Sequence, residues 1–194
     1  MLPAFFTQAG AAVGALGGVY YLVETLAGRA RPNRVTWLLW GLFPMIAFAA
    51  QRAQGIQAAS WTTFAAGFTP LLVFGASFLN PRAEWRTEPR DYALMGAALL
   101  GIILWAFTRN PNLAILFSLL ADALAAVPTA LKVWRHPGTE SWAAYAISAA
   151  GFGVSLAGMP VLDFANGAFA GWVFLVNASF ALLASPLRTR RTGS

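Results

Sequence analysis

Seven apolar stretches dominate this chain, at roughly 4–27, 35–53, 57–79, 91–108, 111–133, 141–158 and 161–185. An α-helix rises about 1.5 Å per residue, so about 20 apolar residues cross a hydrocarbon layer of about 30 Å. Most of these stretches meet that length. Only 10% of residues are charged, against about a quarter in a soluble domain. A water-soluble helical bundle would need charged outer faces, and these segments do not offer them. The expected fold class is all-α: a polytopic membrane protein with seven transmembrane helices.

The separators between runs are "GRARPNR", "QRAQGIQ", "NPRAEWRTEPR", "RNPN", "RHPGTE" and "GMP". Their prolines and glycines mark turns. Charge then orients the chain. With seven spans, Arg29, Arg31, Arg34, Arg82, Arg86, Arg90, Lys132, Arg135, Arg188, Arg190 and Arg191 fall on one side. Only Arg52 and Arg109 fall on the other. Positive residues collect on the cytoplasmic side, so the N-terminus is expected outside and the tail "PLRTRRTGS" in the cytoplasm of a cell with a plasma or inner membrane. The net charge of +6 is thereby accounted for without a nucleic-acid partner. The first run lacks a basic leader and reads as a true span.

"RPNRVTWLLW" (31–40) aligns with "HPGTESWAAY" (136–145), matching Pro32 to Pro137, Trp37 to Trp142 and Trp40 to Tyr145 at an offset of 105 residues. That offset lays span 1 on span 5, span 2 on span 6 and, after a small shift, span 3 on span 7. Span 4 has no counterpart. The expected organisation is a first triple-helix bundle (1–80), a linker helix (81–110), a second triple-helix bundle (111–185) and a tail (186–194). Because one helix joins two odd-numbered triplets, the repeats run parallel, a transporter architecture with its solute site at the repeat interface.

There is no cysteine and a single histidine, His136. Thiolate chemistry is excluded and histidine-based metal sites are disfavoured. No HExxH, Ser-His-Asp set or carboxylate cluster occurs, so neither an enzyme nor a cofactor is expected. A retinal protein would need a lysine in span 7, and the only lysine, Lys132, is in span 5.

The stretch "PTALKVWRHPGTESW" (128–142) resembles the signature of the SWEET and PQ-loop transporters. Pro128 takes the signature proline, Lys132 the basic position, and Thr139 and Ser141 the loop hydroxyls. Thr129 stands where the signature has Gln, and Val23–Glu24 where the first triplet would carry Pro–Gln. The resemblance implies alternating access without a cofactor, Pro128 as a hinge, and a solute-binding role for Asn166 in "FANGAFAG". It implies sugar transport first, with amino acids or another small metabolite, with or without proton coupling, as the alternative. A non-transporting receptor or assembly factor on the same fold is the further reading.

Candidate solute-binding residues are Asn166, Asp122, Asn177, Thr62, Trp61 and Trp172. Asp122 stands near the middle of span 5, where a carboxylate costs about 2.5–3.5 kcal/mol on insertion scales and must face the bundle or a wet cavity. Asn166 and Asn177 supply amide donors and acceptors in span 7; helix-to-helix hydrogen bonding is the plainer role. Pro128 and Pro44 are candidate hinges. Trp142 and Tyr145, with Trp37 and Trp40, form either an interfacial aromatic belt or an inner gate. Lys132 either snorkels to headgroups or pairs with Glu24. Gly10, Gly14 and Gly18 suit close helix packing. The expected partners are a small-molecule solute and the lipid bilayer; assembly into a homo-oligomer is left open.

Overall fold

The computed structural model describes residues 5–83, 85–108 and 110–186. The tail arginines and Arg109, used above to orient the chain, lie outside them. Among the described residues there are seven α-helices and no strand: α1 (Phe5–Leu26), α2 (Arg34–Ala53), α3 (Ala58–Ala76), α4 (Pro89–Thr108), α5 (Pro111–Arg135), α6 (Trp142–Ala157) and α7 (Phe164–Leu183). Helices α1, α5 and α7 are long and apolar enough to cross a membrane, and α6 is apolar but shorter. The chain is an all-helical, membrane-associated protein.

The helix starts follow local chemistry. The Asn33 side chain accepts from the Thr36 amide, Asn110 from the Asn112 and Leu113 amides ahead of Pro111, Ser141 from the Ala144 amide, and Asp163 from the Asn166 amide. Each satisfies an N–H that the first helical turn leaves open. Asp163 explains why α7 begins three residues later than the hydropathy of 161–185 suggests. The sharp reversal after α1 uses Gly28 at φ +74°, a left-handed conformation that glycine adopts without a side-chain penalty.

Large apolar residues face outward as well as inward. Helix α1 buries Thr7, Gly10, Ala11, Gly14 and Gly17, while Leu16, Val19 and Val23 face outward. Helix α7 exposes Leu175 and Leu182. Small residues along the buried face of α1 and large apolar residues on the outer faces suit a bilayer, where lipid solvates the outer face and close backbone approach holds helices together.

Helix α3 lies beside both α1 and α2, and α7 lies beside both α5 and α6. Between these groups α1 packs on α6 and α2 on α5; α4 packs on α5. The α1–α6 contact is antiparallel and made by backbone. A Cβ on Gly10 would fall 2.3 Å from the Ser155 nitrogen, one on Gly151 2.1 Å from the Gly14 nitrogen, and one on Gly17 2.6 Å from the Ser148 nitrogen. Gly18 instead faces α3, against Thr69. The expected Gly10–Gly14–Gly18 stripe is thus a Gly10–Gly14–Gly17 stripe toward α6, with Gly18 on a neighbouring face. Ser155 and Ser148 donate to the Thr7 and Gly14 carbonyls, at 2.9 and 3.2 Å. The α2–α5 seam is tied by Thr36 Oγ1, which donates to the Ala125 carbonyl at 2.8 Å.

Candidate functional site

A cavity lies within the bundle, lined from six helices. Its wall includes Gly14, Gly17 and Tyr21 of α1; Trp37, Trp40 and Pro44 of α2; Thr69 of α3; Asp122 of α5; Tyr145 and Ser148 of α6; and Asn177 of α7. It offers about 60 Å³ to the centres of water-sized molecules. At about 10–15 Å³ per water on that measure, this is room for a few waters. Beside the cavity Gly14 and Gly17 let α1 approach α6 closely, since a Cβ at either would meet Phe152 or Ser148.

Asp122 is the cavity's carboxylate. It is 4% exposed and accepts one hydrogen bond, from Trp172 Nε1 at 2.7 Å. Among the described residues no lysine or arginine lines the cavity. Asn177 donates from its amide nitrogen to the Val173 carbonyl at 2.8 Å, one turn back on α7.

Aromatic rings close one end. Tyr21 lies tilted against Trp37 at 4.2 Å, Trp37 meets Trp40 at 5.5 Å, and Tyr145 meets Tyr21 at 5.7 Å and Phe180 at 5.3 Å. Beyond the rings lies a buried polar cluster. Glu140, in the turn before α6, accepts from Tyr21 Oη at 2.6 Å, Tyr145 Oη at 2.7 Å and Lys132 Nζ at 2.5 Å. The Lys132 and Glu140 side chains are 1% and 0% exposed. Lys132 also donates to the Arg31 carbonyl. The ring of Trp85, in the α3–α4 connection, covers the Lys132 ammonium at 4.7 Å. The α1–α2 and α5–α6 connections are joined by the Arg31 amide, which donates to the Thr139 carbonyl at 3.1 Å. One carboxylate thus gathers α1, the end of α5 and the start of α6.

Several expectations change against this geometry. Lys132 neither snorkels nor pairs with Glu24. It is buried on Glu140, and Glu24 pairs with Arg29 at 2.7 Å on the surface. The Arg29 guanidinium is accordingly held above its usual value by its hydrogen bonds with Glu24. Trp37, Trp40 and Tyr145 are core residues rather than an interfacial belt; Trp142 alone of that set is exposed, at 45%.

Of the candidate residues, the cavity brings together Asp122, Asn177, Pro44 and Tyr145. Trp172 joins them through its bond to Asp122, while its ring lines a shallow groove on the outer α5–α7 seam. The others lie elsewhere. Asn166 is in the first turn of α7 and donates to Asp163 Oδ1 at 2.8 Å. Thr62 is buried and shares a 2.7 Å hydrogen bond with the Ser155 hydroxyl. Trp61 is half exposed, tilted against Phe48 and edge-on to Phe64. Pro128 is buried inside α5, away from the cavity wall.

Sequence reasoning missed Tyr21, Glu140, Trp85 and Ser148. Tyr21 carried a signal, because Gly10, Gly14, Gly17 and Tyr21 follow a helical spacing and share one face. Glu140 carried none beyond being the acid nearest Lys132 across the turn. Compared with family models, with curated proteins and with solved structures, the chain has no match.

Proposed function

We propose that this chain is a membrane transporter that moves a small polar solute by alternating access, with seven spanning helices arranged as two triplets joined by α4. The observation that carries the reading is the cavity with Asp122 in its wall, closed at one end by the Glu140 cluster. A mid-membrane carboxylate is expensive unless it serves a pathway. The packing is what two equivalent triplets would produce. Exchanging α1 with α5 and α2 with α6 turns the α1–α6 seam into the α2–α5 seam, and it turns α3 between α1 and α2 into α7 between α5 and α6. Two such halves can rock about a site between them. The resemblance of "PTALKVWRHPGTESW" to the SWEET and PQ-loop signature is part of this proposal. So are an outside N-terminus, a cytoplasmic Glu140 end, and hinge roles for Pro44 and Pro128, which each free a helix carbonyl.

The test is solute flux in proteoliposomes over a panel of sugars and amino acids. Asp122→Asn and Asn177→Ala alter flux, whereas Asn166→Ala, at the helix cap, leaves it intact. If no solute moves, or if flux ignores both cavity variants, the proposal fails.

A further inference from the structure

The hydrogen-bonding inventory of the cavity wall selects a class of solute; this step rests on the transport reading above. Four hydroxyls line the cavity, and each commits its proton to a protein acceptor. Tyr21 and Tyr145 donate to Glu140 at 2.6 and 2.7 Å. Ser148 donates to the Gly14 carbonyl at 3.2 Å, and Thr69 to the Ala65 carbonyl at 3.1 Å. What these groups keep is oxygen lone pairs. Asn177 has one amide hydrogen on the Val173 carbonyl, and its carbonyl oxygen takes no hydrogen bond among the described residues. Asp122 accepts from Trp172 alone, and no basic residue stands among the described lining residues.

Donors are scarce on the same wall. The indole N–H groups of Trp37 and Trp40 have no acceptor among the described residues, and both nitrogens are buried. The second amide hydrogen of Asn177 is the remaining side-chain donor. The rings of Tyr21, Trp37, Trp40 and Tyr145 supply faces that attract a cation.

We propose that the solute carries a protonated amine, held by the Asp122 carboxylate against these aromatic and acceptor groups. An ammonium brings three donors and no acceptor, the complement of an acceptor-rich, donor-poor wall. A neutral polyol brings an acceptor with every donor, and here its oxygens would lose their water partners and find few replacements. An ammonium also neutralises a carboxylate that the membrane interior disfavours.

The test uses the full chain in lipid nanodiscs and titration calorimetry with two matched pairs, glucosamine against glucose and ethanolamine against ethylene glycol. Each pair differs by an amine in place of a hydroxyl. The amine member binds about ten- to a hundredfold tighter, the range expected of hydrogen bonds to a charged group. Asp122→Asn abolishes the preference. Trp172→Phe, which frees the second carboxylate oxygen without removing the charge, keeps it. Equal or tighter binding of glucose, survival of the preference in Asp122→Asn, or its loss in Trp172→Phe would overturn the assignment. Parallel flux measurements in proteoliposomes separate the two readings. Glucose binding with saturable glucose flux leaves transport standing and removes the amine. Amine binding without flux leaves the site standing and removes transport. Binding of neither class removes both.

Discussion

Glu140 is the residue on which the closed end of the cavity depends, and its removal has a calculable consequence. Its carboxylate accepts three hydrogen bonds, from Tyr21, Tyr145 and Lys132, all within 2.7 Å. Both members of the ion pair are fully enclosed. In such a setting the loss of one partner costs more than the pair itself contributes, because the survivor is a buried charge without compensation. About 3–5 kcal/mol is the usual penalty. Glu140→Gln keeps one acceptor oxygen for two tyrosines and strands Lys132 on the Arg31 carbonyl and the Trp85 ring. Lys132→Met strands Glu140, which retains both tyrosine donors, so it falls at the lower end of that range. Replacing both together removes both charges and recovers most of the loss, since a buried pair exchanged for neutral groups is close to neutral overall. The double variant therefore lies several kcal/mol above the sum of the singles, the signature of direct coupling. Denaturant unfolding in mixed micelles measures all four proteins. Single losses below about 1 kcal/mol that add in the double variant would match a solvated surface pair and would refute the buried cluster.

Two further outcomes test the packing and a helix end. Gly151→Ala places a methyl 2.1 Å from the Gly14 nitrogen and 2.6 Å from its Cα; backbone atoms cannot rotate away, so stability falls at or beyond the upper end of the 1–3 kcal/mol typical of overpacking. Gly75→Ala, whose Cβ meets nothing within 4 Å, is the control that unfolds at the wild-type midpoint or above it; equal midpoints for the two would discount the α1–α6 contact. Asp163, just ahead of α7, is held below its ordinary value by the Asn166 side chain and then by the Asn166 amide. A depressed carboxylate stabilises the folded form above its unfolded value and loses that contribution as pH falls through its folded value. Protection of the Asn166 amide, relative to its intrinsic exchange rate, holds from neutral pH to about pH 4 and weakens below it, and Asp163→Asn removes that pH dependence while keeping a cap; the same pH dependence in Asp163→Asn would contradict the capping bond.

Much of the secondary structure could be read from the residues because its causes are local. The length of the apolar runs dictates helices, and Asn33, Asn110, Ser141 and Asp163 mark four of their starts through bonds made within three residues. Asp122 stood out for the same reason: a carboxylate inside an apolar run is anomalous whatever surrounds it.

What neighbours each helix face was decided only by the tertiary structure. Glu24 was the acid the sequence offered to Lys132, and its pairing with Glu140 instead follows from how α5, α6 and the connection holding Arg31 converge. Trp37, Trp40 and Tyr145 share the aromatic composition of an interfacial belt, yet α2 and α6 are rotated to bury them against Tyr21 and Phe180. Gly18 and Gly17 are adjacent in sequence, but successive helical residues point about 100° apart, so one meets Thr69 and the other Ser148. Asn166 and Asn177 are the same residue type in one helix. Eleven positions place one at the start of α7 with Asp163 and the other in the cavity wall. Hydrophobicity and capping act along the chain and fix the helices themselves. Helix rotation and register act between chain segments far apart in sequence, and they determine whether a polar side chain becomes a cap, a buried cluster or a solute contact.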